Sequence, residues 1–240
     1  MQLIRPVLLA ASLLASASAS AGDTATPQVL GFTADGKVFA FEEYGVQDGS
    51  GFPYANRFYI DTATDSFVAG TPIRVRIDDE AAGIAAARAQ AREKGGKIVA
   101  ESVLAANPGD TAGWNAVTEQ SADPFRMVVN PRPVFPPVDA PVEIRLEEIP
   151  FAPPSGCENL GDTMGFRLAR IDPTPGGETT LVHEDGSIPA SRNCPTGYRI
   201  GGVQTFYPQS GDPVFAVMIA VRSIGFEGPN FRWIAVTGRL

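Results

Sequence analysis

One histidine, His183, serves the whole chain of 240 residues, and only two cysteines, Cys157 and Cys194, accompany it. So few imidazoles and thiols leave no ligand set for a zinc site and no partners for several Ser-His or Cys-His catalytic pairs. The G-x-S-x-G elbow, the H-E-x-x-H helix, the phosphate loop and the G-x-G-x-x-G turn are all absent. No cofactor and no metal are expected, and no residue is assigned a catalytic role. A basic cluster is missing too: 19 lysines and arginines stand against 27 acids, for a formal charge of −8. Nucleic acid and anionic lipid are poor partners for such a chain. Every apolar run after the amino-terminal one is short and broken by charge, Gly or Pro, so no membrane span is expected.

That first run reads as an export signal. Arg5 precedes an apolar stretch, Val7 to Leu14, too short for a bilayer, and Ala19-Ser20-Ala21 supplies the small-x-small pattern of signal peptidase. Ala17-Ser18-Ala19 is a second site. Residues 1–21 are thus expected to be a signal peptide, and 22–240 one extracytoplasmic domain, periplasmic or secreted. Removing Arg5 changes the charge from 19 − 27 = −8 to 18 − 27 = −9. In an oxidising compartment, Cys157 and Cys194 read as a disulfide closing 194 − 157 − 1 = 36 intervening residues.

The pattern along the chain is that of a mostly-β (α+β) protein. Val29 to Phe32 and Val38 to Tyr44 flank Asp35-Gly36, a hairpin signal. Along the second strand Val38, Ala40 and Glu42 share one face, and Phe39, Phe41 and Glu43 the other. A Gly-rich loop, Gly45 to Phe52, leads to a strand at Arg57 to Asp61. Thr71 to Ile77 alternates Ile73, Val75 and Ile77 against Arg74 and Arg76. One Ala-rich helical insertion follows, Ala81 to Lys94, with acids at its start and Gly95-Gly96 as its stop. A short second helix is expected within Ile98 to Ala106. Asn107 to Gln120 reads as loop around Trp114. The Pro-rich stretch 130–141 reads as an extended connector between two halves. Strands are expected at Phe125 to Val129, Val142 to Ile149, Met164 to Ile171 and Thr179 to Val182. Val203 to Tyr207, Val214 to Arg222 and Phe231 to Thr237 form a closing meander that echoes the first. Antiparallel meanders at both ends, arranged like a propeller blade or a sandwich, should lie side by side.

Several blocks carry a family resemblance. They are Gly31-Phe32-Thr33-Ala34-Asp35-Gly36, Ala40 to Gly45, Asp48 to Tyr54, Gly70-Thr71-Pro72, His183-Glu184-Asp185, Ser191-Arg192, Cys194-Pro195 and Gly225 to Pro229. Together they resemble a family of predicted secreted bacterial proteins catalogued as domain of unknown function 2259. The resemblance implies export and a shared fold, and brings no activity. Phe32 to Gly36 with Ala40-Phe41 is also similar to the repeat of TolB-type propellers, although a propeller needs that pattern to recur.

Candidate binding residues are aromatic and polar. Tyr44, Phe52 and Tyr54 surround the first long loop, and Phe226 occupies the matching later one. His183, Glu184 and Arg192 cluster near the cysteines, with His183 and Glu184 on opposite faces of a strand. The expected role is a non-catalytic module that binds an envelope protein or a small ligand. Two alternatives stay open: an envelope hydrolase using isolated carboxylates with His183, and a purely structural envelope factor.

Overall fold

The structure, a computed structural model, describes residues 22–240; the signal-peptide reading lies outside them. The front sheet is built from β1 (Thr26–Phe32), β2 (Val38–Val46), β3 (Pro53–Asp61), the two-residue β4 (Ser66–Phe67) and β5 (Ile73–Arg76). Two helices follow, α1 (Ile84–Gly95) and α2 (Glu101–Ala106), and then β6 (Asp110–Trp114). The back sheet comprises β7 (Arg126–Val129), β8 (Val142–Phe151), β9 (Thr163–Ile171) and β10 (Thr179–Glu184). After a 3₁₀ turn, Ala190–Arg192, come β11 (Pro195–Phe206), β12 (Val214–Ile224) and β13 (Pro229–Arg239), which join β6 in the central sheet.

All pairings within the three sheets are antiparallel, and their orders are β1-β2-β3-β4 with β5 also on β3, β10-β9-β8-β7, and β13-β12-β11-β6. The sheets stack as a sandwich, and among the described residues they close into neither a barrel nor a propeller. Strand β12 explains the stacking. Its residues 214–221 are apolar without a break and buried on both faces, as a strand covered on two sides must be. Val214, Ala216, Met218 and Ala220 face the front sheet, while Phe215, Val217, Ile219 and Val221 face the back sheet. The front interface sets the small Ala216 and Ala220 against the rings of Phe39, Phe41 and Phe58, so large and small side chains interdigitate.

The two end meanders therefore meet face to face through one core, joined further by a parallel bridge between Thr24 and Phe231. Both expected inner strands, β2 and β12, have partners on each side. The alternation read along β2 holds: Phe39 and Phe41 face the central sheet, and Ala40 lies under the helices.

The helices cover the outer face of the front sheet. α1 begins at Ile84, later than expected, because the acids before it are used in a turn where Asp79 Oδ1 accepts from Ala81 N. Its buried side is Ala87, Ala91 and Gly95, a shallow surface. Charge supplies what this contact lacks: the buried Arg57 and Glu42 on the sheet pair with Glu101 and Arg88 on the helices.

Three departures from the sequence pattern have identifiable causes. β3 starts at Pro53, the first strand position being one that tolerates proline. β11 starts at Pro195, eight residues before Val203, and runs through Gly201-Gly202. A Cβ on Gly201 would lie 2.2 Å from the Trp233 ring, and one on Gly202 2.4 Å from Trp114, so both glycines make room for indoles. That same contact turns the expected loop around Trp114 into β6, which pairs with β11. The Pro-rich stretch 130–141 connects β7 to β8, neighbours in one sheet, and is a long hairpin loop with Phe135 96% exposed.

Candidate functional site

Beyond the β13 edge of the central sheet, the front and back sheets leave a seam. Along it runs a groove made of three adjoining cavities of about 520, 140 and 310 Å³. One wall is β3, whose alternate residues Tyr54, Asn56, Phe58 and Ile60 point into the seam. Six residue steps at roughly 3.3 Å each make this wall roughly 20 Å long. Arg74 and Arg76 extend it, because they pair with Asn56 and Tyr54 across β5 and share their face. The opposite wall is β13, from Arg232 to Val236. Ser191, Arg192 and Asn193 form the lip.

The disulfide anchors that lip. Cys157, in the loop between β8 and β9, is bonded to Cys194, the residue before β11. The residue before Cys194, Asn193, has a positive φ of 54°, uncommon for a residue with a side chain.

Charges in the groove are mostly paired. Arg232 is bound to Asp23 and lies over the Tyr54 ring, whose hydroxyl donates to Asp23 Oδ1 at 2.9 Å. Arg76 pairs with Asp78 at 2.6 Å. Arg74 differs: it has no ion-pair partner among the described residues, and its guanidinium sits 5.8 Å from the ring centroid of Phe58. Below it Glu43 is buried, accepting from Asn56 Nδ2 at 2.9 Å and from Trp233 N at 2.7 Å. Burial pushes its carboxyl above the usual range, against those hydrogen bonds and the nearby Arg232 and Arg74. Its neighbour Glu42 points the other way, to Arg57 and Arg88, as alternation along β2 requires.

At the far end His183 joins all three sheets. Its Nε2 is 3.0 Å from Asp185 Oδ1, and its Nδ1 is 3.8 Å from Asp65 Oδ2. Asp65 belongs to the front sheet's β3–β4 turn and accepts from Thr237 N and Oγ1 on β13, at 2.7 and 2.9 Å. Asp185 is buried and also takes Arg192 Nη1 at 2.5 Å and Phe166 N at 2.9 Å. Burial alone would raise the Asp185 pKa, but the bonds from His183, Arg192 and Phe166 outweigh it and hold the carboxyl low. The two aspartates raise His183 from 6.5 to about 9, despite its partial burial and the adjacent Arg192. The imidazole is therefore a charged clasp at neutral pH.

A folded-state pKa above the unfolded one stabilises fully below pH 6.5 and loses that contribution as pH rises through about 9. Wild-type protein should lose stability between pH 7 and 10, by at most about 3 kcal/mol from this group. His183→Gln should cost about 1 to 2 kcal/mol at pH 7 and remove most of that alkaline slope. Urea midpoints measured across the range test this; an identical slope in the variant would rule out the clasp.

The residues expected from sequence are divided by the fold. His183, Arg192 and Tyr54 line the groove, and Arg76 approaches the Phe52 ring at its near end. Tyr44 lies on the helix face of the front sheet, 4.0 Å beneath Arg88, apart from the other aromatics. Phe226 is 87% exposed on the β12–β13 turn, where its N–H and that of Glu227 donate to Asp48 Oδ2. Glu184 turns outward to Arg167 at 2.9 Å. Glu43, Asn56, Asp65, Asn193 and Arg232 were not singled out; only the parity of β2, β3 and β5 could have pointed to the first two and Arg74.

Among the described residues no three His, Cys, Asp or Glu side chains are grouped to hold a metal ion, and no helix is long and apolar enough to cross a membrane. Fold and seam define a disulfide-bonded β-sandwich of stacked sheets with a polar groove along one edge. The family described as predicted secreted protein (DUF2259) matches residues 40–239, and the chain belongs to it. No curated protein and no solved structure matches the chain. The family description and the Cys157–Cys194 disulfide agree on an extracytoplasmic location, periplasmic or secreted.

Proposed function

We propose that this protein is an exported, non-catalytic binding module whose seam groove takes an extended polar ligand with an anionic group on Arg74. The observation that supports it most is Arg74 itself. It is the groove arginine without a carboxylate partner among the described residues, set between Asn56 and Arg232, with the free side chain of Asn193 opposite. A guanidinium in such a recess is a fork-shaped donor suited to a carboxylate or a sulfate. The groove's length favours an elongated ligand over a compact one. Hydrolysis finds less support: His183 is already charged at neutral pH, and both Glu43 oxygens are occupied.

Titration of purified protein with oligoglutamate and with dextran sulfate oligomers tests the reading. At least one should bind, more weakly as salt rises. Arg74→Glu should weaken that binding about tenfold or more. Because Arg74→Glu also sets a second carboxylate near the buried Glu43, its folding is checked by urea midpoint, and Arg74→Gln, neutral at that position, should lose binding in the same direction with a smaller effect on stability. Equal affinity in Arg74→Glu would refute the groove as the site.

A further inference from the structure

Strand β13 is the outer strand of the central sheet, and its free side faces the groove. Outer strands carry a row of unpaired amides that invite another chain unless they are blunted. Here most of the row is blunted. Phe231 N donates to Asp23 O at 2.9 Å, Trp233 N to Glu43 Oε2 at 2.7 Å and Thr237 N to Asp65 Oδ1 at 2.7 Å. These amides alternate, as the outward groups of a regular antiparallel strand must, and the β12–β13 register has no bulge. Ala235 stands in the same phase between Trp233 and Thr237. Its N–H and carbonyl have no partner among the described residues.

This pair opens into the cavity of about 310 Å³. Ile234, Ala235 and Val236 all line that cavity, although Ile234 and Val236 pack into the back core and Ala235 into the front one. Three consecutive residues with alternating side chains share a cavity along their backbone edge. Facing them is Phe67, 47% exposed, on the edge of the front sheet. Arg74 is reached through the small middle cavity, which shares Phe67 and Ile234 with this one. The four residue steps from Asn56 to Ile60 amount to about 13 Å of extended chain.

We propose that the ligand is an extended acidic peptide segment of about four residues, added as a short strand beside β13. One of its residues exchanges two backbone hydrogen bonds with Ala235, an apolar side chain packs on Phe67, and a carboxylate side chain seats on Arg74. The carboxylates of Glu43 and Asp65, on either side of Ala235, confine the pairing to this one residue. The inference rests on the groove reading above and adds the ligand's chemical class.

The probe is the peptide acetyl-Glu-Val-Glu-Val-Glu-amide, with a set of analogues each N-methylated at one position and dextran sulfate as a non-peptide anion. Addition of the peptide to the mature protein should slow exchange of the Ala235 amide about tenfold or more in NMR-detected hydrogen exchange. N-methylation at the residue facing Ala235 should weaken binding about tenfold, and at its immediate neighbours much less. If Arg74-dependent binding occurs, to the peptide or to dextran sulfate, while Ala235 exchange is unchanged, the strand-addition inference falls and the groove reading stands. If neither probe binds, both fall.

Discussion

Replacing Arg57 by alanine is expected to lower the unfolding free energy by about 3 to 5 kcal/mol. The side chain is 1% exposed and stands between two carboxylates: Nη1 lies 2.5 Å from Glu101 Oε1, and Nη2 lies 3.6 Å from Glu42 Oε2. Glu42 is fully buried, and its other partner is Arg88 at 3.2 Å. Removing the guanidinium leaves that carboxylate under-compensated in a low-dielectric layer, where lost pairing costs more than any surface salt bridge. The helices would suffer first, because α1 offers the sheet only Ala87, Ala91 and Gly95. Arg57→Met keeps most of the volume and should be nearly as damaging, whereas Arg57→Met with Glu42→Gln should recover a large part of the loss. Urea unfolding of the three variants separates charge from packing. A loss below about 1 kcal/mol in Arg57→Met would show that packing, and not the ion cluster, holds the helices.

Loss of the disulfide is the second large effect. A closed loop with 36 residues between Cys157 and Cys194 contributes on the order of 4 kcal/mol in the chain-entropy model. Cys157→Ala with Cys194→Ala should approach that loss, and denaturation with and without a reductant should reproduce it in the wild type. The position of the bond adds a local consequence. Cys194 follows Asn193, whose positive φ is sustained only while its surroundings hold it. On the proposed groove reading, reduction should therefore weaken binding of the oligoglutamate or dextran sulfate probe at denaturant concentrations where the core is still folded. Simultaneous loss of binding and of core structure would argue that the lip has no independent dependence on the bond.

Which parts of the site were visible beforehand follows from what period-two alternation encodes. In β2 it separated Glu42 from Glu43 correctly, and in β5 it put Arg74 and Arg76 on the face opposite Ile73 and Val75. It could not say that Glu43 would receive the backbone N–H of Trp233, 190 residues away. His183, Glu184 and Arg192 are close in the chain and stand together as candidates, but Glu184 turns outward, and the clasp is completed by Asp185 and by Asp65 from another sheet. The aromatic group of Tyr44, Phe52, Tyr54 and Phe226 is divided because Tyr44 and Tyr54 fall on opposite faces of the front sheet, while Phe226 stands exposed on the β12–β13 turn.

The amino-acid sequence by itself determined the β-rich class, the two end meanders, the Ala-rich helix with its glycine stop, the cysteine pair and, along β2 and β5, the side of the strand on which each residue lies. These are local properties, carried by alternation, propensity and turn chemistry within a few residues. Tertiary structure alone decided which faces meet, and with them the central place of β12, the strand character of β6 around Trp114, and the β11 strand running through Gly201-Gly202 beneath two indoles. It also decided that one edge, β13, would border a groove in which, among the described residues, Arg74 has no ion-pair partner and Ala235 is uncapped. The physical reason is that an apolar face is satisfied by any complementary apolar face. The choice among them is made by the packing of all three sheets at once, through contacts between residues far apart in the chain.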